Sequence, residues 1–235
     1  MEDLFARYRA VWERTVSQRA LTAESVSESR FFFDFPVDGK PTPRRFDTYA
    51  IVCGLPYPGT LQRTLKAQWE QCISSLGNPL AYAVLPPDLH TEIFLFQRPG
   101  ETFSAEEVEA SIQSSLSIPE NISSFQLTLH HPFITPDGTV VVPGVDSPGG
   151  TIDTLRDALR SEVKVYPQKQ SQWMHISLGR ILEPLSEQRL APLLNEMTAH
   201  WREVIGETTV GELLWTWGKQ WYMLDREILH RRSLK

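Results

Sequence analysis

The chain has 235 residues, 41% of them hydrophobic and 22% charged, a balance that builds a packed core without disulfide or metal staples. Its net charge of −6 argues against broad attachment to long nucleic acid, which depends on clustered lysine and arginine displacing counterions. No apolar run reaches the roughly 18 residues of a membrane-spanning helix, the N-terminus MEDLFARYRA is unlike a signal peptide, and Cys53 and Cys72 lack metal-ligand spacing. A cytoplasmic, monomeric protein that engages no membrane is therefore expected, and a small phosphate-bearing ligand, held by one or two local cations, stays open to it.

In chain order, Leu4, Tyr8, Val11, Trp12 and Val16 recur at helical spacing and predict an amphipathic helix over 2–18. From Leu21 to Phe46 the text is irregular, with Pro36, Pro41 and Pro43 and the turn-like VDGKPTPRR, and reads as a cap or an arm. TYAIVCGL then reads as a buried strand and TLQRTLKAQWEQCISSL as a helix. LAYAVLP and DLHTEIFLF are two strands joined by a Pro-Pro-Asp turn. Ser104, with Glu107 three residues on, opens a capped helix over 104–115.

The second half repeats the scheme. Strand FQLTLHHPFI, a PDG turn at 136–138 and strand TVVVPGV precede the helix TIDTLRDALRSEV, a strand over 172–181, the helix LSEQRLAPLLNEMTAHW, and closing strands GELLWTWG and WYMLDREIL. The expected class is α+β: two related lobes, each an antiparallel sheet with flanking helices, around a central cleft. Residues 1–46 form the N-terminal helix and arm, and 47–235 the bilobal domain. No glycine-rich phosphate loop, GxSxG elbow or HExxH occurs.

The stretch WMHISLGR carries the chemistry. On a strand it sets Trp173, His175 and Ser177 on one face and Met174, Ile176 and Leu178 on the other, because side chains alternate. The earlier strand offers a second histidine, His90. Two strands, each with a histidine followed two positions on by a short polar residue, resemble the 2H phosphoesterase superfamily, the LigT-like or RNA cyclic phosphodiesterase-like group. His175-Ile176-Ser177-Leu178, continued by Gly179 and Arg180, matches its H-x-(S/T)-hydrophobic motif in full. The resemblance covers about residues 47–228. It implies two histidines, His90 and His175, as an acid/base pair that needs neither metal nor cofactor, since imidazole takes or gives a proton near neutral pH. It implies Ser177 as a phosphate ligand and Arg180 as a contact to an anionic substrate. The substrate class it implies is a 2′,3′-cyclic or 2′-5′-linked nucleotide or a short oligonucleotide.

The first motif departs from this pattern: His90 is followed by Thr91, Glu92 and Ile93, so Glu92 stands where the family keeps a hydroxyl. Thr91 points to the face opposite His90 on a regular strand, and only a bulge would turn it. An ionised carboxylate beside a phosphate repels it, by roughly 4 kcal/mol at about 4 Å and an effective dielectric of ~20. Four readings follow: Glu92 is protonated and donates a hydrogen bond; it pairs with His90 and raises that histidine's pKa; the ligand is not an ordinary phosphodiester; or His90, Glu92 and His175 hold a divalent metal. Glu92 also opens an alternative function: a diverged nucleotide-binding module, or an enzyme using His90, Glu92 and His175 on another, non-phosphodiester substrate. Trp173, on the histidine face, and Tyr166, on the loop before it, are candidates for stacking on a base. His130, His131, His200 and His230 read as structural or surface residues, and Trp215, Trp217 and Trp221 as core or interface packing.

Overall fold

Apolar residues in short β-branched and aromatic runs build most of the core, as in Ile51, Val52, Phe94, Phe96, Val140, Val142 and Ile176, all at most 1% exposed. A computed structural model describes residues 2–37, 39–147 and 149–235, without the side chains of residues 2–5 and 121. Asp38 in the expected 37–45 turn and the side chain of Leu4 thus lie outside the described residues.

The chain begins with helices α1 (Glu2–Gln18) and α2 (Ala23–Phe31), the short pair β1 (Phe33–Asp34) and β2 (Thr42–Pro43), strand β3 (Thr48–Cys53) and helix α3 (Gly59–Ser75). Next come β4 (Ala81–Ala83), β5 (Thr91–Gln97), α4 (Ala105–Ser115), β6 (Phe125–His130), β7 (Phe133–Ile134), β8 (Thr139–Ser147) and α5 (Thr151–Glu162). The last part contains β9 (Met174–Ile181), α6 (Glu187–His200), β10 (Val204–Val210), β11 (Glu212–Gly218) and β12 (Arg226–Ser233).

The α+β class with two antiparallel halves is what the structure has, and the halves join in one curled sheet of order β10-β6-β8-β9-β5-β3-β11-β12. β4 adds to the edge of β9, and β7 to β8. Helix α3 buries Leu61, Leu65, Trp69 and Cys72, a stripe at helical spacing, and α4 opens on the expected Ser104–Glu107 capping box.

Four local readings are corrected. Within 21–46 an extra helix, α2, forms because the Thr22 side chain accepts from the Ser25 backbone N–H; its serine-rich AESVSESRF buries only Val26 and Ser29, so no apolar stripe announced it. Strand β10 lies in VIGETTV, which is polar because it pairs with β6 at the sheet edge. WYM of the last expected strand is a 3₁₀ turn, Trp221–Met223. On α1, Val16 is exposed, and Thr15 takes the buried place, where its hydroxyl donates to the Ile134 carbonyl at 2.8 Å.

Helices α1 and α2 pack on the sheet and share its core through Tyr8, Leu21 and Val26. The Tyr8 hydroxyl bonds the carbonyls of Gly144 in β8 and Met174 in β9, the latter at 2.9 Å, and burial pushes its pKa well above the ordinary phenol value. Replacing Tyr8 with Phe removes a buried donor from two strand carbonyls. Urea denaturation should report a loss of about 1–3 kcal/mol with an unchanged m-value.

Candidate active site

The site forms where the halves of the sheet meet. β5 and β9 share one ladder pair, Thr91 with Ile176. Both residues are buried at 1% exposure or less, and the Thr91 and Tyr57 hydroxyls bond at 2.7 Å beneath them. Thr91 therefore points into the core, as strand alternation requires. The same alternation sends the flanking residues the other way. Extending the antiparallel register by one residue sets His90 across from Ser177 and Glu92 across from His175, a near two-fold arrangement about the Thr91–Ile176 pair.

Each strand then bulges three residues after its histidine. Val52 faces Glu92 while Ile51 faces Phe94, so Ile93 is the extra residue of β5. Val141 faces Ser177 while Val140 faces Gly179, so Leu178 is the extra residue of β9. A bulge exchanges the faces beyond it. As a result Leu95 follows His90 and Glu92 into the cleft, and Arg180 follows His175 and Ser177. Gly179 sits at this step because a side chain there would meet the Tyr82 carbonyl at 2.2 Å and the Trp69 ring at 2.6 Å.

These residues line a cavity of about 820 Å³. The structure brings six of the seven sequence-derived candidates to its wall: His90, Glu92, Trp173, His175, Ser177 and Arg180. Tyr166 instead packs on Phe94, ring centroids 5.2 Å apart. Trp173 stacks on the His175 ring itself, centroids 4.3 Å apart, and on Phe133 at 5.6 Å. No group of three His, Cys, Asp or Glu side chains comes together as a metal site among the described residues, so His90, Glu92 and His175 do not form one. His130 and His131 are buried, their Nδ1 atoms on the carbonyls of Arg202 and Pro132.

His90 Nδ1 lies 2.7 Å from the Asp88 carbonyl. A carbonyl only accepts, so Nδ1 carries the proton and Nε2 is left for the cleft. Burial lowers the His90 pKa, the Asp88 carbonyl working against it. His175 is pushed further, to about 4, by burial first and then by the Arg156 cation; its Nδ1 makes no hydrogen bond, although the Trp173 carbonyl favours the protonated ring. Burial pushes Glu92 up to about 7 against the pull of Arg156 and Arg98. The Glu92 carboxyl makes no hydrogen bond or ion pair among the described residues, and it does not pair with His90.

Arg180 is held on three sides: Nε donates to the Tyr222 hydroxyl at 2.8 Å, and Nη1 to Ser29 Oγ at 2.8 Å and Asp137 Oδ2 at 3.1 Å. Its guanidinium also lies over the Phe32 and Trp221 rings, 5.1 and 5.6 Å from their centroids. Ser29 and Phe32 come from the N-terminal segment, and Trp221 lines the cleft.

Arg156 was not visible as a site residue. It is 2% exposed on the buried face of α5, and it donates to the carbonyls of Ile93 at 2.9 Å, Glu92 at 3.1 Å and Trp173 at 3.2 Å. It thus ties the two histidine strands together beneath the cleft. The signal available was an arginine within the apolar stripe Ile152, Leu155 and Leu159.

No protein-family profile matches the sequence, and no curated protein matches it in sequence. Solved structures do share its fold. E. coli LigT complexed with phosphate is 17% identical with a TM-score of 0.51, over 82% of this chain and 99% of that one. E. coli LigT complexed with ATP is 16% identical with a TM-score of 0.51, over 82% and 99%. TT0787 of Thermus thermophilus is 14% identical with a TM-score of 0.56, over 80% and 97%. The chain therefore has the LigT-like fold.

An Arg156→Lys substitution keeps the charge, but its single ammonium nitrogen cannot reach the three carbonyls that Nε and Nη2 serve from a rigid fork. We expect it to cost about 2–4 kcal/mol in denaturant unfolding. Arg156→Met removes the charge as well. In both folded variants, NMR titration of the His175 ring should show its pKa rising toward the ordinary histidine value in Arg156→Met and moving less in Arg156→Lys.

Proposed function

We propose that the chain is a phosphodiesterase of the 2H type that opens a 2′,3′-cyclic nucleotide, or cleaves a 2′-5′ linkage, by two-histidine acid/base catalysis without a metal. The observation that carries this reading is the Thr91–Ile176 pair, whose register turns His90 and His175 onto one face of one cavity. The shared fold supports it, and LigT has been seen with phosphate and with ATP in that fold.

His175 is the more strongly depressed histidine, held neutral by burial and Arg156, which suits a base. It removes a proton from a water molecule as the water oxygen bonds to phosphorus. His90 rests on the Asp88 carbonyl, an acceptor that supports a protonated ring, and so suits the acid. Its Nε2–H passes a proton to the ribose oxygen as that P–O bond breaks. A bound phosphate anion draws both histidine pKa values upward. Ser177 donates to a non-bridging oxygen, and Arg180 supplies positive charge toward the same group. Glu92 acts in its protonated form, as the donor that stands in for the family's hydroxyl. Trp173 serves chiefly as the platform for the His175 ring, and residues 47–235 form the catalytic unit with the arm 1–46 against it.

With EDTA present, His90→Ala and His175→Ala should each lower kcat by about 10²–10⁴ on 2′,3′-cyclic nucleotides. An activated leaving group needs no acid, so a p-nitrophenyl phosphodiester should recover rate in His90→Ala and not in His175→Ala. Equal rescue of both, or turnover retained in both, would overturn the assignment.

Glu92 supplies a second test. Its pKa is raised on folding, so the native protein holds the proton more tightly than the unfolded chain. Its contribution to stability is complete below the ordinary carboxyl value and is lost as pH rises toward about 7. The gap in Tm between Glu92→Gln and the wild type should widen across that window in favour of the glutamine. The wild-type kcat/KM should fall above about pH 7 as the carboxylate forms, and the fall should be absent in Glu92→Gln. The unpaired carboxyl in the cleft also favours a second reading, a diverged nucleotide-binding module. Tight nucleotide binding without turnover, with activity appearing in Glu92→Thr, would select it.

A further inference from the structure

The cavity, about 820 Å³, lies toward the upper end of the roughly 300–1,000 Å³ common for ligand pockets, and one wall of it comes from the first 46 residues. Its charge is not balanced. Among the described residues five cationic side chains line it, Arg7, Arg14, Arg98, Lys169 and Arg180, against three acidic ones, Glu28, Glu92 and Asp137. Three of the cations are engaged. Arg7 reaches Asp153 at 3.2 Å and the Gln172 carbonyl at 2.9 Å, Lys169 lies 3.8 Å from Glu28, and Arg180 reaches Asp137 at 3.1 Å.

Arg14 and Arg98 are different. Among the described residues the Arg98 guanidinium makes no hydrogen bond or ion pair, and that of Arg14 bonds only the Ala10 carbonyl of its own helix, at 3.3 Å. Arg98 is near enough to Glu92 to oppose the rise of its pKa, but the two form no ion pair. The residues come from separate elements: Arg98 follows the end of β5, past Leu95 on the cleft wall, and Arg14 stands one turn beyond Val11 on α1, which packs on β7. Two guanidinium groups lining one concavity, neither of them in an ion pair among the described residues, favour an anion with several acceptor oxygens. On a chain of net charge −6, such local positive charge is a selective feature and not part of a basic surface.

Building on the phosphodiesterase reading, we propose that Arg98 and Arg14 form a second anion subsite of the cleft, for a phosphate of the substrate other than the one at the histidines. The substrate class this assigns is a nucleotide with two phosphate groups. The second is either a terminal 5′-phosphate or the next internucleotide phosphate of a short oligomer. The α1 wall places one of the two arginines, so the N-terminal segment takes part in choosing the substrate.

The test is equilibrium binding by calorimetry to the full chain, with adenosine 2′-monophosphate, adenosine 2′,5′-bisphosphate, and a 2′-5′-linked diadenylate ending in a 2′-phosphate. We expect the wild type to bind at least one of the two-phosphate ligands about tenfold or more tightly than the monophosphate. That ratio should fall toward one in Arg98→Ala and in Arg98→Ala/Arg14→Ala, and should shrink as salt rises. Preference for the bisphosphate marks a terminal phosphate; preference for the diadenylate alone marks an internucleotide phosphate. Circular dichroism and Tm establish that the variants are folded. Equal affinity for one and two phosphates, a ratio untouched by the substitutions, or no binding of any of the three overturns the subsite. Failure of the catalytic reading is separate: it would appear as no turnover of cyclic or 2′-5′-linked substrates with the two-phosphate preference intact.

Discussion

The cleft depends on how two half-sheets are held together where they scarcely pair. β5 and β9 share a single ladder pair, and on either side of it the strands part. Beyond the pair, β4 takes up the edge of β9 at Ala81–Ala83. Toward the other end, the Gln170 side-chain amide bonds both the N–H and the carbonyl of Leu95, at 2.9 and 2.8 Å, doing what a strand backbone would do. Arg156 does the rest. The β5 bulge leaves carbonyls out of register, and the guanidinium satisfies two of them, Glu92 and Ile93, together with Trp173 ahead of β9. Burying a cation is costly, but leaving the Glu92 and Ile93 carbonyls without this donor in the same place costs comparably. One residue therefore fastens the seam and fixes the spacing of the histidine strands.

The clamp also has an electrostatic effect. A positive charge beneath the cleft disfavours a second one above it, so Arg156 stands with burial among the causes that keep His175 neutral, and it resists the rise of the Glu92 pKa. Scaffold and chemistry are linked through the same guanidinium. A group that only packed the seam would leave the histidine nearer its ordinary basicity. Asp137 plays the matching part for Arg180: burial tends to raise its pKa, but Arg180 and the hydroxyls of Thr135 and Thr139 outweigh this and keep it ionised. Arg180 is thus held in place before any ligand arrives.

Much of this was legible where a single local rule applied. Strand alternation put Trp173, His175 and Ser177 on one face and sent Thr91 to the other, and both hold. The same rule fails two residues later. By alternation Arg180 belongs with Ile176 and Leu178 on the core side, and only the bulge at Leu178 turns it into the cleft. Bulges follow from how two strands fit each other, and no residue of HISLGR specifies one. Arg156 was hidden for a related reason. Its helix was legible from the apolar stripe, but an arginine inside that stripe reads as surface until the strand carbonyls it serves are known to lie opposite it. Helix α2 rests on a cap and a few buried atoms, and carries too little apolar pattern to be seen.

The charge distribution joins the arm, the clamp and the departure at Glu92. Of the cleft-lining side chains, five are cationic and three acidic, so the cavity is net positive even with Glu92 ionised, inside a chain of −6. Protonation of Glu92 adds one further unit of positive balance beside the two histidines. The chain as a whole is negative while the described lining of its cavity is net positive, a separation that composition alone conceals because it reports only the sum. A hydroxyl at position 92 would be indifferent to pH. A carboxyl there makes the charge of the cleft a function of its own proton, which burial holds and which Arg156 and then Arg98 oppose by favouring the ionised form. The carboxyl that stands in place of a hydroxyl beside His90 is thus linked, through Arg98, to the part of the cleft proposed for a second phosphate.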